Sequence, residues 1–331
     1  MAPYYRDIYD RYLRLAAILC LSAAAACLTD SAFGLTRIEL YQATAPVSDR
    51  SEAAQTAAFK AALKIVLIRV TGRRTADEDP VFAPLFNNAR RYVQQFRSAP
   101  DDQLWVAFDG SAIERWLTQN GQPLWGRERP STFVWLSVQT GAQAAKVVTS
   151  DDTSELKVAI DAAAAMRGIP LVWPNAASAN TASPSPADIG HRLGAEGVLV
   201  GRANSATEAA GVRWTLLFQD RSSEFSGAVE GVNRAADLYA GMFAASGSLA
   251  PVEIEVGGVA DLRDYANVQT YLESLTFITH VNVQALTGDT VRFRLTTRGG
   301  IESLQHAIAL NGRLQPQPAG DNGVQRFQLR R

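Results

Sequence analysis

The densest group of chemically capable side chains lies at residues 121–130, GQPLWGRERP, where Trp125 is followed by Arg127, Glu128 and Arg129. A guanidinium makes planar two-point contacts with carboxylates and also stacks on indole faces. The stretch therefore suits two jobs. In one, Trp125 and the Trp135 of the following pattern STFVWLSV pack at a domain junction. The arginines then bind carboxylates or free carbonyls around the turn, and Pro130 sets the start of the next strand. In the other, the same residues face solvent as an interface for a partner protein, since Trp and Arg are enriched at such hot spots. The stretch holds no histidine, cysteine or nucleophile motif, so catalysis is not expected of it.

Elsewhere the chemistry is thin. The three histidines, His191, His280 and His306, are far apart in sequence and lack the spacing of a zinc site. There is no G-x-S-x-G elbow, no G-x-G-x-x-G after a strand and no phosphate loop. Ser303 and His306 are three apart on a helical pattern, but nothing nearby supplies an oriented third member. The acidic run Asp77, Glu78, Asp79 beside Arg73 and Arg74 reads as a solvated loop face, and Asp151-Asp152 as the cap of a helix starting near Glu155. No catalytic residue, metal or cofactor is expected.

Bulk composition sets wider bounds. The chain has 331 residues, enough for two or three cores. Its net charge of −1 offers no basic field for nucleic acid. Arg6, Arg11 and Arg14 precede the apolar run LAAILCLSAAAACL at 15–28, which is of signal-peptide length and too short to cross a core of about 30 Å as a helix. Cleavage after Gly34 would make Leu35 the first residue. A degenerate lipobox, Ala24-Ala25-Ala26-Cys27, would instead leave a lipid anchor on Cys27. Either way export to the periplasm is expected, with no membrane span after the leader.

The elements that must position these residues follow from periodicity. The segment 36–43 alternates as a strand, and Asp49 with Glu52 looks like the start of a helix whose Ala54, Ala58, Ala61, Ile65 and Ile68 recur at helical spacing up to Gly72. A short helix near 85–89, strands YVQQFRS and LWVAFDG, and a helix begun by Ser111 complete a first α/β unit. The order restarts with TFVWLSV, helix 154–167 and the strand IPLVW. A Ser/Pro-rich loop at 174–187 follows, then a helix, the strands EGVLVGRAN and VRWTLLFQD, and a helix near 234–245. The last third reads β-α-β-β-α-β, the order of a ferredoxin-like unit. The expected fold is thus α/β (α+β): a leader at 1–34, small α/β domains at 35–125 and 126–248, and a ferredoxin-like βαββαβ domain at 249–331.

The segments LYQATAPVSDRSEAAQTAAFKAAL, VLIRVTGRR, ARRYVQQFR, LWVAFDG, PLWGRERPSTFVWLSV, LGAEGVLVGR, RWTLLF and YLESLTFITHVNV together resemble an exported proteobacterial family catalogued as domain of unknown function 2066. That resemblance implies export and a multidomain α/β build, and it brings no activity or site residues. Two function classes are carried forward. The first is a non-enzymatic periplasmic interaction or assembly module that docks an envelope protein. The alternative is a hydrolase-like periplasmic enzyme whose polar groups converge only in three dimensions.

Overall fold

A computed structural model describes residues 39–127, 129–179, 185–206, 211–247, 249–320 and 323–330. The segment expected to be a leader, with Cys20, Cys27 and the expected cleavage position after Gly34, lies outside the described residues, as does Glu128. No helix among the described residues is long and apolar enough to cross a membrane. The protein is a mixed α/β structure with three sheets.

The first strand, β1 (Gln42–Pro46), begins later than the alternation predicts. The helix α1 (Glu52–Thr71) is capped by Ser51, whose hydroxyl accepts from the Ala54 N–H; Asp49 instead accepts from the Ser51 N–H. Gly72 closes α1 in the left-handed conformation, as its place after the pattern predicts. Ala61 and Ile65 are only half-buried, whereas Phe59, Leu63, Val66, Leu67 and Val70 are fully covered. The last turns are apolar on more than one side because α1 has neighbours on two sides. A 3₁₀ turn at Pro80–Phe82 leads through α2 (Ala83–Asn87) and α3 (Ala89–Tyr92) to β2 (Val93–Ala99) and β3 (Gln103–Phe108). Helix α4 (Gly110–Gln119) starts from Asp109 rather than Ser111, because the Asp109 carboxylate accepts from the Ala112 N–H. These strands form an antiparallel sheet, β1-β3-β2, over one hydrophobic core.

The second sheet begins with β4 (Thr132–Val138) and β5 (Lys146–Val147). After α5 (Glu155–Arg167) come β6 (Leu171–Val172), α6 (Ala176–Ala179) and α7 (Pro186–Arg192). Then β7 (Gly197–Ala203), β8 (Arg213–Phe218) and β9 (Arg221–Ser226) lead to α8 (Glu230–Phe243). Strands β4 and β7 are parallel, and the order is β5-β4-β7-β8-β9, with β6 alongside β4. Helices α5 and α8 cover one face through Leu156, Ile160, Val232, Ala236 and Tyr239. The short α7 covers only part of the other, packing Ile189 on Phe133 and Val198.

The third sheet takes β10 (Leu249–Gly257), then α9 (Leu262–Ser274), β11 (Ile278–Thr287) and β12 (Thr290–Arg298). Helix α10 (Gly300–Asn311), β13 (Leu314–Gln317) and β14 (Gln325–Leu329) follow. Its order, β11-β12-β10-β14-β13, differs from the sequence expectation at the end. A four-residue strand, LQPQ, escapes pattern reading because one Pro and two Gln erase any alternation. It forms the outer edge, so the terminal strand β14 pairs with β10 in parallel. Helices α9 and α10 cover the face carrying Ile254, Val256, Val291, Phe293 and Leu295. The opposite face carries a charge ladder in which Arg292 and Arg326 pair with Glu255, and Arg294 with Glu253.

Candidate functional site

Two helices end at the same place. The last carbonyls of a helix lack intrahelical donors and carry the negative end of its dipole. At the end of α1 these are Arg69 O, Val70 O and, at the cap, Gly72 O; at the end of α5 they are Arg167 O, Gly168 O and Ala165 O, the last already reached by the Gly168 N–H at 3.3 Å. The segment 121–130 runs between these two ends and supplies what they lack. Trp125 N–H donates to Val70 O at 2.7 Å. Arg129 Nη2 donates to Arg69 O at 2.8 Å and to Trp125 O at 3.0 Å, its Nη1 reaches Arg167 O and Gly168 O at 3.4 Å, and its Nε holds Gly126 O at 2.7 Å. Two further arginines complete the exchange: Arg69 Nε donates to Ala165 O at 2.8 Å, and Arg167 Nη2 to Gly72 O at 2.8 Å. The cations here serve carbonyls as well as carboxylates.

Trp125 is fully buried and Arg129 is 1% exposed. The guanidinium lies over the indole, 3.6 Å from the ring centroid. That contact contributes about 2 kcal/mol when water is excluded. The buried indole N–H has no acceptor among the described residues, which costs about 1–3 kcal/mol. The two nearly cancel, and removal of roughly 200 Å² of ring from water, about 5 kcal/mol, decides for burial.

Around this plug the junction is held by ion pairs. Arg74, in the loop after α1, makes two-point contacts with both Glu230 and Asp237 of α8, the shortest at 2.7 Å. Asp237 also accepts from Arg167 Nη2 at 2.7 Å. Burial pushes Arg167 down and the Asp237 pair opposes it, while hydrogen bonding from Arg74 holds the Glu230 carboxyl below its ordinary range. Arg73 turns the other way and pairs with Asp79, while Asp77 of the same acidic run pairs with Lys64. Leu124 and Ala245 exchange both backbone hydrogen bonds, so the connection leaving α4 is clamped to the one leaving α8.

Other predicted residues lie elsewhere. Arg127 is exposed, with its guanidinium 5.8 Å from the centre of the Tyr41 ring and its N–H donating to Thr276 Oγ1. Beside it, Tyr41 OH donates to Glu114 Oε1 at 2.5 Å, and Arg298 Nη2 donates to Thr118 Oγ1. Burial and the Glu114 charge push the Tyr41 hydroxyl well above its usual range. Trp135 does not pack with Trp125. Side chains alternate along β4, which places Trp135 on the sheet face opposite the junction, half-buried beside Phe133.

Among the described strands, β11 is the longest at an open edge. It forms an edge of its sheet and is exposed along most of its ten residues. A bulge at Gln284 shifts register, so Val283 faces Phe293 and Leu286 faces Val291. Both side chains thus lie on the core face of the sheet, yet they are 43% and 68% exposed. Sequence reasoning found the alternation of Val281, Val283 and Ala285, but a strand's place at an edge is a property of the whole sheet.

Residues 36–126 match the family described as Domain of unknown function (DUF8605), which covers less than a third of the chain. This overturns the resemblance to domain of unknown function 2066, because the family found is a different one. The segments behind that resemblance are generic: VLIRVTGRR is a helix end with its glycine stop, and LGAEGVLVGR a helix stop followed by a buried parallel strand. No curated protein and no solved structure matches the chain. What comparison supports is a likeness to DUF8605, confined to the first sheet, its helices and the first residues of the junction.

Proposed function

We propose that the protein is a non-catalytic docking module of the cell envelope that accepts an extended segment of a partner protein along β11. The observation that carries this is how β11 differs from every other edge among the described strands. Natural edges are blunted by proline, charge, shortness or bulges; β11 has bulges at Thr279 and Gln284 but none of the other three. Strand β1 ends in Pro46, β2 carries Arg97, β5 is two residues long, β9 carries Arg221 and Glu224, and β13 carries Pro316. Strand β11, ITHVNVQALT, has ten residues with no proline and no Lys, Arg, Asp or Glu. An added strand would satisfy its outward backbone groups and cover Val283 and Leu286. An uncharged segment with alternating apolar residues fits that edge.

Three readings accompany this one. The chain divides at about residues 125 and 248 into two small α/β units and a third. The third begins as a ferredoxin-like βαββα unit and ends in the hairpin β13–β14, whose last strand lies between β10 and β13. The basic and apolar pattern before residue 35 supports export to the periplasm.

Photocrosslinking in cells tests the docking. A crosslinking side chain at Val283 or Leu286 is expected to capture a partner protein, and one at Glu224 on the charged β9 edge is not. Val283→Lys with Leu286→Lys is expected to abolish that capture, read from a crosslinking side chain placed at Gln284 instead, without lowering thermal stability. Capture of a second copy of this chain, or equal capture from both edges, would overturn the proposal.

A further inference from the structure

The exposed arginines of the third sheet provide an internal standard. Each of Arg292 and Arg294 stands directly opposite a glutamate on β10 and pairs with it. The second sheet breaks that rule. Arg202 of β7 stands directly opposite Arg213 of β8, on the same face. Side chains so placed have Cβ atoms roughly 5 Å apart, and like charges there are destabilising. Neither guanidinium has an acidic partner among the described residues. Glu224 of β9 is near, opposite Thr215 of β8, and among the described residues makes no ion pair with either.

The surroundings have the form of a site. The pair lies at the end of the sheet face that α7 leaves bare, beyond the patch of Phe133, Ile189 and Val198. It also lies at the carboxyl ends of the parallel strands β4 and β7, where ligands of open α/β sheets bind. Two open clefts meet at the arginines. One, of about 610 Å³, runs toward Val200, Thr215, Phe225 and the carboxylate of Glu224; the other, of about 970 Å³ and without a carboxylate among the described residues of its lining, runs toward Ser137, Gln139 and Asn204. Both volumes fall within the range of small-molecule sites and are large for a lone inorganic ion.

We propose that Arg202 and Arg213 form a binding site for a small organic oxyanion. Its phosphate or carboxylate lies between the two guanidiniums, and its hydroxyl-bearing body extends toward Ser137, Gln139 and Asn204. An anion removes the repulsion between the two cations and gives each a charge-assisted hydrogen bond. The bare sheet face gives the rest of the ligand room, and the amide and hydroxyl side chains give it polar partners. This site is independent of β11, which belongs to another sheet.

Calorimetric titration of the full chain with glucose 6-phosphate, citrate and glucose tests the proposal and separates the two anion chemistries. Saturable binding is expected from glucose 6-phosphate, citrate or both, and none from neutral glucose. Arg202→Gln and Arg213→Gln should each weaken it tenfold or more, while Arg294→Gln, a control on the other sheet, leaves it unchanged. Because each arginine opposes a like charge, neither glutamine variant should melt below the parent. No saturable binding of either anion at about 10 mM, binding that survives in the double variant, or a lower melting temperature in the glutamine variants would overturn the site.

Discussion

Arg129 sits where a buried cation is unusual, holding peptide carbonyls at two helix ends and in its own loop. Five of its hydrogen bonds reach main-chain oxygens, and its flat face lies on Trp125. A lysine has one nitrogen and no plane, so it cannot serve both helix ends and the indole together. Arg129→Lys is therefore expected to lower unfolding stability by about 2–4 kcal/mol, and Trp125→Ala by about 3–5 kcal/mol. Urea unfolding followed by circular dichroism measures both, and an unchanged midpoint in either would contradict the inward packing. The sequence marked these residues and offered carbonyls among their partners. It could not say which carbonyls, since the ends of α1 and α5 are about a hundred residues apart in the chain.

Among the elements, legibility followed the strength of local punctuation. Gly72 and Gly168, each after a periodic apolar run, end α1 and α5 as the pattern predicts. Strands β5, β9 and β13 went unread, being two residues long, polar, or interrupted by proline. Gly72 has a second role that no local signal reveals: a Cβ there would lie 2.2 Å from the Ala240 Cβ, because α8 packs directly on the end of α1. Gly121 has a similar positive φ but open space around it. Gly72→Ala should therefore cost well over the roughly 1–2 kcal/mol of left-handed strain expected for Gly121→Ala. Thermal unfolding of the two variants side by side checks this, and equal losses would refute the packing argument.

At the scale of the molecule, the first and second cores are tied by ion pairs that acid should weaken. Glu230 is held below its ordinary range in the folded chain, chiefly by Arg74, so it favours folding above the unfolded carboxyl value of about 4.3. That contribution is lost as pH falls through the depressed folded value. Stability should drop between about pH 4.5 and the acid limit, and Glu230→Gln should flatten that drop while lowering stability at neutral pH. Denaturation midpoints across this range decide it; parallel profiles for both proteins would remove Glu230 from the account. The shared helix ends also bear on how the chain folds. The stretch similar to DUF8605 stops at Gly126, three residues short of Arg129. The donors for Arg69 O and Gly72 O, Arg129 and Arg167, and the Ala240 that packs on Gly72 all come from later in the chain than the first sheet. The end of α1 is therefore a face that the first unit cannot finish with its own residues, and its completion waits on the folding of its neighbour.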